Sequence, residues 1–412
     1  MPRGRDQGGA VTARRPSRIA VVGASAAGLS TVEGLRRQGY AGPLTLIGEE
    51  EHLPYDRPPL SKQLLSGAWD TARLQLRSAD DIEALGLDLR LGSPAVALDT
   101  RRQEVALADG SRVGYDALVV ATGMRARRLP GTEGVPGVHV LRTLEDALAL
   151  REALAAKPHL VVVGGGFIGA EAAAVARGLG CGVTLVTDTA QPMGDALGDE
   201  LGAMLRAVHT ENGVRIATGV LVDQVITDGG RARGVRLADG RILAADAVLV
   251  GIGAQPNVEW LAGSGIPIGN GVQCDATLYA GSGVWAVGDV ACWPHPRTGE
   301  PLRIEHRTNA AEQGLAVARN ILAGPELATP FDSVPYVWSD QYDLKIQIYG
   351  RTRGADEVRI VQGSFDDGKL VALYGKNGRV CAAVGINMMR ALRGYRAQVA
   401  QAAVLDEVEN AA

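Results

Sequence analysis

Four cysteines are all that this chain of 412 residues contains, and Cys181, Cys274, Cys292 and Cys381 form no C-x-x-C or other tight pair. Neither a zinc site nor a dithiol redox motif can be read from that spacing, so no metal is expected and a reduced, cytoplasmic chain fits best. An excess of basic charge is missing too. Lys and Arg number 42 against 46 Asp and Glu, for a net charge of -4, which argues against a nucleic-acid binder because phosphate neutralisation needs the opposite balance. No run of about 18 apolar residues occurs, which excludes a membrane-spanning helix. Residues 1–16 carry Arg3, Arg5, Arg14 and Arg15 with no apolar stretch before Pro16; they read as a disordered arm, not a signal peptide, and Arg14-Arg15 alone is thin support for twin-arginine export. Glycine is the residue in surplus. Its 54 positions are about 13% of the chain where roughly 7% is usual, without a three-residue period, so collagen is excluded and close backbone approaches are expected.

The glycines fall in a repeat. "RIAVVGASAAGLSTVEGLRRQGY" from Arg18 is echoed by "HLVVVGGGFIGAEAAAVARGLGC" from His159. Each copy reads as a β-branched strand, a glycine turn, an Ala/Leu-rich helix and a second apolar run, Leu44 to Ile47 or Val183 to Val186, which is the start of a nucleotide-binding βαβ unit. A second echo, "ALVVATG" (117–123) and "AVLVGIG" (247–253), follows hairpin-like stretches turning at Asp109-Gly110 and Asp239-Gly240. The second unit looks inserted into the first. The expected organisation is α/β, with two Rossmann-like nucleotide-binding domains and a C-terminal α+β domain. The first domain is discontinuous, 17–124 with 251–330, and encloses the second, 125–250. In 331–412, "KIQIYG", "EVRIVQG" and "LVALYG" suit an antiparallel sheet.

In "GASAAG", Gly23 makes the strand-to-helix turn and Gly28 permits close helix packing, while Ser25 replaces the usual middle glycine and could itself bond a phosphate. Glu49, 21 residues beyond Gly28, stands where an acid would accept bonds from an adenosine ribose; taken alone it would read as a solvated loop acid. The second fingerprint is complete: Gly164, Gly165, Gly166, Phe167, Ile168 and Gly169 lead directly into a helix. Its ribose position holds Thr187, with Asp188 next and no Lys or Arg nearby, which favours NAD over NADP. Two dinucleotide sites in one chain point to a flavoprotein that takes hydride from a nicotinamide.

The linked motifs "HLPYDRPPLSK", "LVVATG", "LRTLEDA", "VGGGFIGAE", "VGIGAQPN", "VWAVGDV" and "WSDQYDLKIQ" resemble, in order and over nearly the whole chain after residue 17, the FAD-dependent NADH:ferredoxin reductases of oxygenase systems. These are the putidaredoxin reductase and ring-hydroxylating dioxygenase reductase types, with a glutathione-reductase-like architecture. The resemblance implies that Asp289, after Gly288, binds the flavin ribityl hydroxyls, and that Arg57, Lys62 and Arg142 are FAD ligands. For Arg142 the plain reading is a surface residue beside a capping box of Thr143 and Asp146. Ala26, Ala27, Ala95, Ala121, Thr122, Gly123 and Gly253 carry over as small residues facing the cofactors. Lys62 and Glu171 would meet as an ion pair near flavin N5, where the alternative is a bridge that only fixes domain geometry. Asn309 and Glu312 form a capping-box pattern whose helix would point at the flavin pyrimidine, and Arg307, just before it, stands where relatives carry apolar or aromatic residues, a departure that would either tune the flavin potential or put the arginine head in solvent. The implied partner is a 2Fe-2S ferredoxin docking near Trp338. Two other readings stay open. One is reductase of a rubredoxin or small-molecule acceptor; the other is a redox interaction protein of the apoptosis-inducing-factor type.

Overall fold

The computed structural model describes residues 15–297 and 299–408. Most of the expected disordered arm, with Arg3, Arg5 and Arg14, lies outside the described residues. Each glycine turn follows a strand with four consecutive buried residues. β1 (Ile19–Val22) leads into α1 (Ala26–Arg37), and β1 lies between β2 (Leu44–Ile47) and β3 (Ala117–Val120), parallel to both. The second unit repeats this plan. β4 (His159–Val163) leads into α2 (Phe167–Gly178) and lies parallel between β5 (Gly182–Val186) and β6 (Ala247–Val250), with α3 (Gly194–Glu211) after β5. Continuous Val/Leu/Ile/Ala runs are what a parallel sheet covered on both faces requires.

After β3 the chain leaves the first sheet and returns to it with β7 (Val284–Ala286), parallel to β3 with Val284 opposite Leu118. The outward and return passages, Met124–Ala126 and Ala254–Pro256, pair antiparallel with each other. α4 (Arg307–Ala323) then crosses α1 at glycine distance: a Cβ on Gly34 would lie 2.8 Å from Ala318 Cβ, and one on Gly314 would lie 2.6 Å from the Ala27 carbonyl.

The C-terminal part is an antiparallel sheet of β8 (Tyr336–Gln341), β9 (Leu344–Gly350), β10 (Glu357–Ser364), β11 (Lys369–Lys376) and β12 (Arg379–Ile386), in the order β8-β9-β12-β11-β10. Two short helices, Met389–Arg393 and Arg396–Gln401, follow it. Among the described residues no helix is long and apolar enough to cross a membrane.

One local expectation fails. Asn309 does not cap α4, which starts at Arg307 with His306 in the cap position. Asn309 is buried inside the first turn and donates to the Ile304 carbonyl at 3.3 Å, while Glu312 accepts a hydrogen bond from Ser333. The N-x-x-E spacing is that of a capping box, but other partners take both side chains and the helix begins three residues earlier than that cap would start it.

Candidate functional site

A cavity of about 1580 Å³ runs between the two nucleotide units and reaches β8. That exceeds the roughly 300–1,000 Å³ of a single small-ligand pocket. Both glycine turns open onto it. Gly23 has φ +121° and an added Cβ would lie 2.1 Å from the Ala121 carbonyl; at Gly164, φ is +108° and the Cβ would lie 2.2 Å from the Gly251 carbonyl. Any side chain there would collide with the neighbouring strand. Gly28 and Gly169, expected as cofactor contacts, do not line the cavity. They sit behind the turns, where a Cβ would strike the carbonyls of Gly23 and Gly164, so they act by letting helix and strand close up.

The helices that start at these turns are left open. α1 and α2 have no side-chain cap bond and no acid in the first turn. The helix after Thr143, by contrast, has its full capping box: Thr143 accepts from the Asp146 amide and Asp146 from the Thr143 amide. Unsatisfied first-turn N–H groups and the positive end of the helix dipole therefore face the cavity at both turns, where Ser25 and Gly166 are the cap residues. This is a double anion cradle, and it fits two dinucleotide pyrophosphates.

The remaining expected residues line the same cavity. Ser25, Ala26, Ala27, Glu49, Ala95, Ala121, Thr122, Gly123 and Gly253 border it from the first unit, and Gly165, Phe167, Ile168, Thr187 and Asp188 from the second. Glu49 is exposed at the end of β2. Thr187 is buried and hydrogen-bonded through its hydroxyl to Thr189 at 2.8 Å, which leaves the exposed Asp188 as the acid beside it. Arg142 Nη2 donates to Asp289 Oδ2 at 2.8 Å, both side chains facing the cavity next to Gly288. Arg57 donates to Glu50 and to the Arg142 carbonyl, each at 2.6 Å, which ties the 52–62 segment to that pair. Arg307 Nε donates to Asp56 at 2.6 Å, so its head is paired and not free in solvent. Burial holds His306, beside it on the cavity wall, below the ordinary imidazole value.

Lys62 and Glu171 come together where the two units meet. Nζ lies 2.8 Å from Oε2, with Lys62 only 9% and Glu171 4% exposed. Ser61 also donates to Oε2 and Ser339 donates to Oε1 at 2.7 Å. A buried ion pair is favourable only when its remaining lone pairs are met in this way. The two serines were not expected. Ser61 sits inside "PPLSK" and Ser339, from β8, inside "WSDQYDLKIQ", so both stood within quoted motifs, but no spacing tied Ser339 to Glu171. Trp338 lines the cavity too, half-buried and stacked on Tyr336 with ring centres 5.9 Å apart. None of the four cysteines lines the cavity, and all four are free thiols.

The family model described as "Pyridine nucleotide-disulphide oxidoreductase" matches residues 17–314, and one described as "Reductase C-terminal" matches 336–412. The chain belongs to the pyridine nucleotide-disulphide oxidoreductase family. Within that family it is 39% identical to rhodocoxin reductase of Rhodococcus erythropolis, over 85% of this chain and 82% of that protein. It is 37% identical to the ferredoxin–NAD(+) reductase component of the p-cumate 2,3-dioxygenase system of Pseudomonas putida, over 95% of each. Putidaredoxin reductase, in a crystal structure of its covalent complex with putidaredoxin, superposes with a TM-score of 0.88 at 33% identity over 93% of each chain. The family is named for disulphide chemistry, but this member brings no cysteine to its cavity.

Proposed function

We propose that the chain is an NADH-dependent ferredoxin reductase that uses FAD to split a hydride into single electrons for a 2Fe-2S ferredoxin serving an oxygenase. The observation that carries this reading is one cavity holding two open helix N-termini, a buried Lys–Glu pair between them and no thiol. The close relatives are ferredoxin reductases by name, and this chain acts as they do, with FAD and NAD(H). When bound, FAD accepts hydride as an electron pair and releases it one electron at a time. The protein's part is to bind, orient and set charge. The turn at Gly23 and the first-turn amides of α1 would hold the FAD pyrophosphate, Glu49 the adenosine ribose, and Asp289 with Arg142 the ribityl chain. Those of α2 would hold the nicotinamide dinucleotide. Asp188, with no Lys or Arg in residues 187–195, would accept a ribose hydroxyl and repel a 2'-phosphate, giving NADH preference. Lys62 and Glu171 would fix the charge beside the reacting ring.

On this reading 17–124 with 251–330 is the flavin domain, 125–250 the nicotinamide domain and 331–412 the acceptor-side domain; the pairing of β7 with β3 supports the first assignment. Free thiols suit a reducing cytoplasm. The ferredoxin docks near Trp338. Arg353 borders the cavity and Lys345 is exposed on β9, whereas Arg77 is paired with Glu33 at 2.6 Å and Arg351 with Glu300 at 3.8 Å. An acidic partner steered by such charges associates more slowly as salt rises, because screening acts within ~8 Å at physiological ionic strength.

The test is stopped-flow reduction of the 2Fe-2S ferredoxins encoded beside the gene, by NADH-reduced enzyme, across a salt series and with Trp338→Ala alongside. Transfer that slows with salt and with the substitution is the expected result. Fast transfer to quinones, rubredoxin or oxygen with none to any 2Fe-2S ferredoxin overturns the reading.

A further inference from the structure

Behind Glu171 a row of buried polar side chains leads away from the cavity. Ser339 Oγ donates to Glu171 Oε1 at 2.7 Å, and Gln341 Nε2 donates to Ser339 Oγ at 3.2 Å. His209 Nε2 lies 2.9 Å from Gln341 Oε1, and Tyr342 Oη 3.2 Å from His209 Nδ1. Ser339, Gln341 and His209 are each at most 1% exposed. The row draws on β8, the turn after it, and α3, and it ends on α2.

Its direction follows from its end. A carboxylate only accepts, so Ser339 gives its one O–H to Glu171 and must accept from the Gln341 amide. The amide oxygen then faces His209, which puts the ring proton on Nε2 and leaves Nδ1 to accept from Tyr342. Burial holds His209 below the usual imidazole value and pushes the Tyr342 phenol up to about 12, so the ring carries one proton and the phenol keeps its own. Every bond therefore points at Glu171, and aligned bonds polarise one another. Four polar groups in a row add little net stability over apolar packing. What they do add falls on Glu171, the cavity-lining carboxylate paired with Lys62.

We propose that Ser339, Gln341 and His209 are positioning residues for electron transfer: they hold Glu171 against Lys62 and so couple the charge beside the reacting ring to the C-terminal sheet. The proposal rests on the role given above to the Lys62–Glu171 pair.

Two readouts on the full chain test it. In stopped flow, NADH bleaches the flavin of the FAD-loaded protein. Ser339→Ala should lower the limiting rate about tenfold with the NADH Kd within about twofold of wild type, and Ser339→Thr, which keeps the hydroxyl, should restore it. His209→Phe should slow it about threefold, and the double variant should be no slower than Ser339→Ala alone, because His209 acts only through Ser339. Independently of turnover, 15N NMR of the histidine-labelled chain should show the resonance lost in His209→Phe as the Nε2–H tautomer, with Tyr342→Phe perturbing Nδ1. Wild-type rates in Ser339→Ala, no rescue by threonine, additive losses in the double variant, or a proton on Nδ1 each overturn the proposal while leaving the reductase reading intact. A wild-type flavin that NADH fails to bleach overturns both.

Discussion

Asp289 and Arg142 show how a single pair can be read two ways. Each has a bland reading, a turn acid after a buried strand and an arginine beside a helix cap, and the cap is indeed present. Yet Arg142 turns back from the helix, donates to the Met124 carbonyl and to Asp289, and both charged groups face the cavity. Replacing Asp289 with Ala leaves the guanidinium without its carboxylate and removes the acceptor for ribityl hydroxyls. A hydrogen bond to a charged group is worth ~1.5–3 kcal/mol, so the Kd of FAD should rise about 10- to 100-fold, read by titrating apoprotein with FAD and following flavin fluorescence. Unchanged affinity would assign Asp289 to the fold alone. Arg307 makes the same point from the other side: a departure that sequence left between flavin tuning and solvent proves to be half of a bridge to Asp56.

Among the elements, the α1–α4 crossing has the least room. A Cβ on Gly314 would stand 2.6 Å from the Ala27 carbonyl and 3.0 Å from both Ser30 Cβ and the Thr31 nitrogen. All three atoms belong to the first turns of α1, the helix whose open start faces the cavity. Gly314→Ala should therefore cost ~1–3 kcal/mol through overpacking, seen as a lower urea midpoint with unchanged m-value. It should also loosen FAD, because α1 must shift. The same scale shows what sequence can disclose. Strand runs such as "HLVVV" and "IAVV" and the turns at Gly23 and Gly164 are legible because their cause is local: burial on both faces, then a backbone approach only glycine tolerates. The start of α4 is not, since Asn309 has the right neighbours for a cap and loses its side chain to Ile304. Lys62 and Glu171 stand 109 residues apart and Ser339 a further 168 from Glu171. No periodicity links such positions. Family resemblance supplied the first pair; it also marked the segment that holds Ser339, but nothing in the sequence joined that serine to Glu171.

Across the whole molecule, the histidines act together. Of the six in the chain, His139, His159, His209, His295 and His306 are all held, chiefly by burial, below the ordinary imidazole value. Unfolding returns each to about 6.5, so below that pH the unfolded chain binds more protons than the folded one. Stability is then full above about pH 6.5 and is lost as pH falls from there towards the folded-state values. The melting temperature should drop between pH 7.5 and 5.5, and less steeply in His209→Phe; a flat profile would contradict it. The path of the chain through its first sheet has a different consequence. β3 is made early, but β7, which covers its edge, follows about 160 residues later. At ~5–20 residues per second, the ribosome takes roughly 8–30 s to deliver it. For that interval each nascent chain presents "ALVV" as an uncovered, wholly apolar strand edge, the kind of surface to which another chain adds. Synthesis, and not the finished enzyme, is therefore where this architecture is most exposed to aggregation, and where a chaperone has most to guard.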